Sequence, residues 1–186
     1  MQTTLTTRRF TVHEYYRMAE AGILAPGERV ELIEGEIVQM AAIGSRHAGC
    51  VNRLTRLLME ASGNRAVVAI QNPVRLSQIS EPEPDVAILR PRPDQYADAH
   101  PGPGEVLLII EVADTTLDLD RGVKALLYAG AGIAEYWLVD LPGERVEVRR
   151  EPGEEGYGEV TTHQRGEVLR PLGLPGAEVA VDAILP

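Results

Sequence analysis

One acidic side chain interrupts the most apolar stretch of this sequence. Val106-Leu107-Leu108-Ile109-Ile110-Glu111-Val112 is apolar except at Glu111. A run like this, bounded by turn residues, reads as a central strand covered on both faces. A carboxylate there is costly unless a metal ion or a neighbouring Arg pairs with it. Asp85 opens a second apolar stretch directly after Pro84. If the two strands are neighbours, both carboxylates converge at one edge of the sheet. Together with a strand carbonyl such as that of Val112, they would make a hard oxygen site suited to Mg²⁺ or Mn²⁺. Such an ion lowers the pKa of a bound water and stabilises charge on a phosphoryl oxygen.

A cation for the same site is available. Lys124 is the only lysine in the chain, and every other basic residue is Arg. Abundant Arg, Pro, Ala and Gly suggest GC-rich coding, which replaces Lys wherever the difference is harmless. A lone survivor either marks a place where a compact ammonium does what a guanidinium cannot, or persists by chance. Lys124 falls in the helix that follows the Glu111 strand, and a loop plus one helical turn would return it to the strand end. It could orient an attacking water or offset charge in the transition state. The competing reading is an exposed i,i+4 ion pair with Asp120, worth about 0.3–0.5 kcal/mol.

The elements that must position these groups follow from the pattern. Met1 to Thr7 is Thr-rich and is expected to fray, giving a flexible stretch over 1–9. Thr11 and Glu14 have the spacing of a capping box for a helix to about Ala21, stopped by Gly22 and Pro26. Arg29 to Met40 reads as a hairpin turning at Glu34-Gly35. Ser45 is placed to cap a helix to about Ala61, with Val51, Leu54, Leu58 and Ala61 on its core stripe. Strands are predicted at Ala66–Gln71, Val74–Leu76 and Asp85–Leu89, then at Val106–Val112. A helix over Asp118–Ala129 comes next, followed by strands at Glu135–Asp140 and Arg145–Arg149. From Glu151 the chain is rich in Gly and Pro, with short strand pieces: a β-rich C-terminal extension over 151–186. No repeat or linker divides the chain, so a single α/β domain over 1–186 is expected, with a mixed central sheet flanked by helices.

Composition sets limits on function. The chain has 186 residues and is 44% apolar, enough to bury roughly 70% of its unfolded surface without disulfides. A lone Cys50, no secretory segment and no run of ~20 apolar residues predict a cytoplasmic protein with no membrane partner. Acidic residues outnumber basic ones 28 to 18, for a net charge of −10. That argues against a partner held by long-range attraction to phosphate. A bound divalent cation changes the local field, however, and the Arg residues could cluster on one face.

Longer stretches around these residues resemble a known family. Glu111-Val112-Ala113-Asp114-Thr115-Thr116, then Asp120-Arg121-Gly122-Val123-Lys124, then Tyr128-Ala129-Gly130 through Glu135-Tyr136-Trp137-Leu138-Val139-Asp140 are similar to the Uma-two family. Its bacterial members are described as restriction endonucleases of the PD-(D/E)XK superfamily. Glu31-Leu32-Ile33-Glu34-Gly35-Glu36-Ile37-Val38, Ser45-Arg46-His47 and Glu83-Pro84-Asp85 occur in the family's order as well. The resemblance spans roughly residues 10 to 150, and Glu-Tyr-Trp-Leu-Val-Asp is its most specific segment. It implies a restriction-endonuclease-like core, Asp85 and Glu111 as metal ligands, and Lys124 as the catalytic lysine. The superfamily's usual lysine position, two residues after the acid, holds Ala113 here; Lys124 matches the family's own pattern.

His47 and Glu31 are further candidates for the site. His47 lies on the apolar stripe of its helix, either as a core histidine or as a group at the helix start pointing into a cleft. Glu31 matches a family acid and either adds a third carboxylate or pairs with an Arg. Tyr136 and Trp137 read as core, and Arg121 as a phosphate contact or a surface ion pair. The expectation is a Mg²⁺- or Mn²⁺-dependent nuclease acting on DNA, as a dimer by resemblance to nucleases that pair two sites. The alternative is a nuclease fold without activity, serving as a binding or homo-oligomeric assembly module.

Overall fold

The structure is a computed structural model that describes residues 7–186. Most of the stretch expected to fray lies outside the described residues. By Arg9 the chain is already packed: the Phe10 N–H donates to the Gly35 carbonyl at 2.9 Å. Gly35 has φ +79°, and a Cβ there would come within 2.5 Å of the Arg9 Cβ, so the close approach depends on glycine.

The first helix, α1 (Val12–Glu20), starts where the capping box places it. Thr11 accepts from the Glu14 N–H, and Glu14 accepts in return from the Thr11 N–H. Strands β1 (Val30–Ile33) and β2 (Glu36–Gln39) pair antiparallel around Glu34-Gly35, both at positive φ, as a two-residue hairpin requires. They form a separate two-stranded sheet. Helix α2 (Ser45–Ser62) buries Cys50, Val51, Leu54 and Leu58. Its N-cap is Gly44, with no side-chain cap, not Ser45.

The central sheet has six strands in the order β3-β4-β5-β6-β7-β8. These are β3 (Val67–Ile70), β4 (Val86–Leu89), β5 (Val106–Ala113), β6 (Glu135–Asp140), β7 (Arg145–Gly153) and β8 (Gly156–Gln164). Only β5 and β6 run parallel, so the sheet is mixed, and a crossover connection must join that pair. The crossover consists of one turn of helix α3 (Leu117–Leu119), a π turn (Asp120–Lys124) and α4 (Ala125–Gly130). The chain ends with β9 (Val168–Leu169), β10 (Val179–Ala180) and α5 (Val181–Ile184).

Two further sequence expectations are corrected. Val74–Leu76 is not a strand: the Val74 N–H donates to the Pro82 carbonyl and that of Leu76 to the Ser80 carbonyl, which closes a loop. The helix expected over Asp118–Ala129 is present, running from Leu117 to Gly130 with the π turn inside it. The strand expected to end at Arg149 continues to Gly153 and pairs with a nine-residue β8. β8 is mostly exposed, so apolar alternation, the signal that marks a half-buried strand, is missing from it.

Two apolar layers cover the sheet. Leu108, Ile110, Val112, Trp137, Val139, Val146 and Val148 face α2, α5 and the C-terminal segment. Ile109, Ala113, Tyr136 and Leu138 face α4 on the other side. Tyr136 and Trp137 are fully buried, as core. Among the described residues, no helix is long and apolar enough to cross a membrane.

Arg121 anchors the crossover through ion pairs. It donates to Glu147 at 2.7 Å and to Asp140 at 3.2 Å, and Arg149 also donates to Glu147, at 2.6 Å. Burial works to raise the Glu147 pKa, but the two guanidiniums outweigh it and the net shift is downward. A carboxylate depressed by folding contributes stability above its unfolded pKa of 4.5. That contribution is lost as pH falls through the folded value. Glu147→Gln is therefore expected to lower the melting temperature at pH 7 and to leave the difference smaller below pH ~4. A difference that holds constant between neutral and acid pH would rule out this linkage.

Candidate active site

The antiparallel register of β4 and β5 pairs Val86 with Ile110, which puts Asp85 opposite Glu111 at the ends of two buried strands. Side chains alternate faces along a strand. Asp85 and Ala87 therefore share a face with Ile109 and Glu111, on the side covered by α4. The two acids are linked directly: the Asp85 N–H donates to Glu111 Oε2 at 3.2 Å, and the Val112 N–H donates to Asp85 Oδ2 at 2.9 Å. Asp85 Oδ2 also meets His47 Nε2 at 3.0 Å, and Gln71 Nε2 donates to Asp85 Oδ1 at 3.3 Å.

Lys124 lies between two carboxylates. Its Nζ is 3.1 Å from Glu111 Oε1 and 3.0 Å from Glu31 Oε1. Glu31 Oε2 in turn accepts from the Glu83 N–H at 3.1 Å, which ties the hairpin to the loop before β4. With Lys124 only 5% exposed, the reading of an exposed i,i+4 pair with Asp120 is overturned. Asp120 is itself 4% exposed and bonds the Thr116 hydroxyl.

A π turn carries this lysine. A wider turn leaves main-chain groups without regular partners and often marks a functional site. Here the Asp120 carbonyl accepts from the Tyr136 hydroxyl at 3.0 Å. Asp120, Lys124 and Tyr128 follow at four-residue intervals on one side of the crossover, and all three are buried.

Together these groups line a cleft of about 470 Å³. Glu31, Asp85, Glu111, Val112, Asp120 and Lys124 make its floor, and His47, Arg29 and the Met40–Gly44 segment form its rim. Of the residues expected at the site, Glu31, His47, Asp85, Glu111, Val112 and Lys124 are all brought together here. Arg121 is instead held by Glu147 and Asp140. Sequence reasoning missed Tyr128, Asp120 and Gln71 as neighbours of the acids. The Tyr128 hydroxyl donates to Glu111 Oε1 at 2.7 Å. Its i+4 spacing from Lys124 was a usable signal, since such residues share a helix face. Gln71 had none, because only the pairing of β3 with β4 brings it to Asp85.

The electrostatics follow from burial. Desolvation pushes the Glu111 carboxyl above the ordinary carboxylate range, against the attraction of Lys124. Burial would lower the Lys124 pKa, but Glu111, Glu31 and Asp120 outweigh it and hold the ammonium charged. The hydrogen bond to Asp85 raises His47 above the ordinary imidazole value, although burial opposes it.

The residues fit a hard, well-hydrated cation. Among the described residues, no three His, Cys, Asp or Glu side chains form a ready-made metal cage. Mg²⁺ does not need one, because it keeps several waters and binds through one or two carboxylates. Asp85 Oδ1 and Glu111 Oε2 each accept one hydrogen bond, which leaves each oxygen a lone pair. The absence of a His- or Cys-rich set argues against zinc, and Cys50 is buried in the core.

A family profile, Uma2, described as "Putative restriction endonuclease", matches residues 12–182. Comparison with curated proteins gives no match. Among solved structures, the chain is similar to a crystal structure of "a putative nuclease belonging to DUF820" from Anabaena variabilis ATCC 29413. The TM-score is 0.72 at 15% identity, covering 94% of this chain and 97% of that one. At that identity the likeness establishes a shared fold.

Proposed function

The chain belongs to the Uma2 family, and on that premise we propose that it is a divalent-metal-dependent nuclease that hydrolyses phosphodiester bonds in DNA. One observation carries the reading. Two acids from adjacent buried strands and the only lysine of the chain meet on the floor of a single cleft, with Lys124 Nζ 3.1 Å from Glu111. Buried charge gathered in a cleft with shifted pKa values is characteristic of functional sites.

Asp85 and Glu111, with the Val112 carbonyl, would hold Mg²⁺ or Mn²⁺. Once bound, the ion supplies Lewis-acid charge at the phosphoryl oxygen and acidifies water. The protein's own groups do the rest. Lys124, kept charged by Glu31 and Glu111, presents positive charge to the reacting phosphate. His47 orients Asp85 through the 3.0 Å contact. Arg29 at the rim offers a cationic contact to a phosphate backbone on a chain that is acidic as a whole. The proposal extends to a cytoplasmic homodimer, in which two sites serve two strands; sedimentation equilibrium tests the dimer.

A second reading, an inactive scaffold, is favoured by the net charge of −10 and by a Lys124 network that is already internally paired. Calorimetric titration of Mn²⁺ separates the two. The nuclease reading expects binding to the wild type, loss with Asp85→Ala or Glu111→Ala, and cleavage of DNA that depends on both. Absence of Mn²⁺ binding to the wild type would favour the scaffold.

A further inference from the structure

We infer that Tyr128 is a positioning residue for Glu111, one whose hydroxyl sets the carboxylate in the orientation that a divalent cation requires. The inference rests on the metal-site reading above. Tyr128 is fully buried on α4, and its hydroxyl donates to Glu111 Oε1 at 2.7 Å. That oxygen also accepts from Lys124 at 3.1 Å. With both donors on Oε1, Oε2 is turned towards Asp85, whose N–H it accepts at 3.2 Å. The result is a carboxylate with one oxygen saturated and the other directed at the second acid.

The tyrosine is itself held in place. Its ring packs on Tyr136 with centroids 5.3 Å apart, and the Tyr136 hydroxyl secures the π turn that carries Lys124. Hydrogen bonds made behind a ligand orient it, and losing one typically weakens metal binding about 10–100-fold.

Tyr128→Phe removes the hydroxyl and keeps the ring. Calorimetric titration of Mn²⁺ is expected to show binding about 10–100-fold weaker than for the wild type. Tyr157→Phe serves as the control: its hydroxyl donates to the Ile133 carbonyl at 3.0 Å, away from the acids, and its Mn²⁺ affinity is expected to match the wild type. A purely structural tyrosine would shift the melting temperature of the metal-free protein and leave Mn²⁺ affinity intact. Equal affinity in Tyr128→Phe and wild type overturns the inference and leaves the nuclease reading standing. No binding to the wild type overturns both. A further readout needs no folded variant: Mg²⁺ bound to the wild type should perturb the near-ultraviolet tyrosine band through the hydroxyl on its ligand. A flat difference spectrum at saturating metal counts against the inference.

Discussion

Lys124→Met is expected to slow DNA cleavage by about 10²–10³-fold, the usual effect of removing one charge-stabilising group from an active site. The same change should cost about 3–5 kcal/mol of folding stability, because it leaves two carboxylates facing each other without their cation. Glu31 and Glu111 both contact the ammonium, and neither is exposed to solvent by more than a few per cent. The variant can relieve this repulsion by binding protons. Its stability deficit should therefore shrink as the pH falls and the carboxyls become neutral. Activity and stability answer different questions here. Thermal unfolding across pH reads the ion network, whereas cleavage at fixed saturating metal reads the chemistry. If the variant cuts DNA at the wild-type rate, Lys124 is a counter-ion and not a catalytic group.

The largest effect on stability alone is expected at Glu135, where β6 begins. Its side chain is fully buried. Oε1 accepts from Arg150 at 2.7 and 3.0 Å and from Trp137 Nε1 at 3.1 Å. Oε2 accepts from the Leu172 N–H at 2.7 Å. Glu135 thus fastens β6 to β7 and to the C-terminal segment that covers one face of the sheet. Glu135→Ala leaves a buried indole N–H and a main-chain N–H without an acceptor and strands a guanidinium. A loss of about 3–5 kcal/mol is expected, which for a chain of this size lowers the melting temperature by about 10 °C. Circular dichroism on heating measures it. A shift under ~2 °C would mean that water or another acceptor replaces the carboxylate without cost.

Residues 12–182 match the family, and its fold was largely legible because the signals were local. The capping box at Thr11 and Glu14, the Glu34-Gly35 turn, the apolar stripe of α2 and the unbroken run of β5 each state a periodicity or a dihedral requirement in a few residues. The same holds for the candidate acids. A carboxylate at the end of an apolar run and another directly after a proline are conspicuous because burying charge is costly. A lone lysine stands out for a compositional reason.

What surrounds those acids depended on contacts between residues distant in sequence. The pairing of β3 with β4 brings Gln71 to Asp85, and the packing of the hairpin on the loop before β4 brings Glu31 to Lys124. The outer strand of the β7–β8 hairpin lacked apolar alternation to announce it, since it is exposed. Lys124 is the clearest case. Its i,i+4 spacing from Asp120 is equally that of a solvated ion pair, and only the packing of the crossover on β5 and the hairpin buries both, with Glu111 and Glu31 as partners of the ammonium. Local sequence thus determined which residues were costly to bury and which elements carried them. The tertiary structure decided which of them meet, because the partners that compensate buried charge come from other strands and helices.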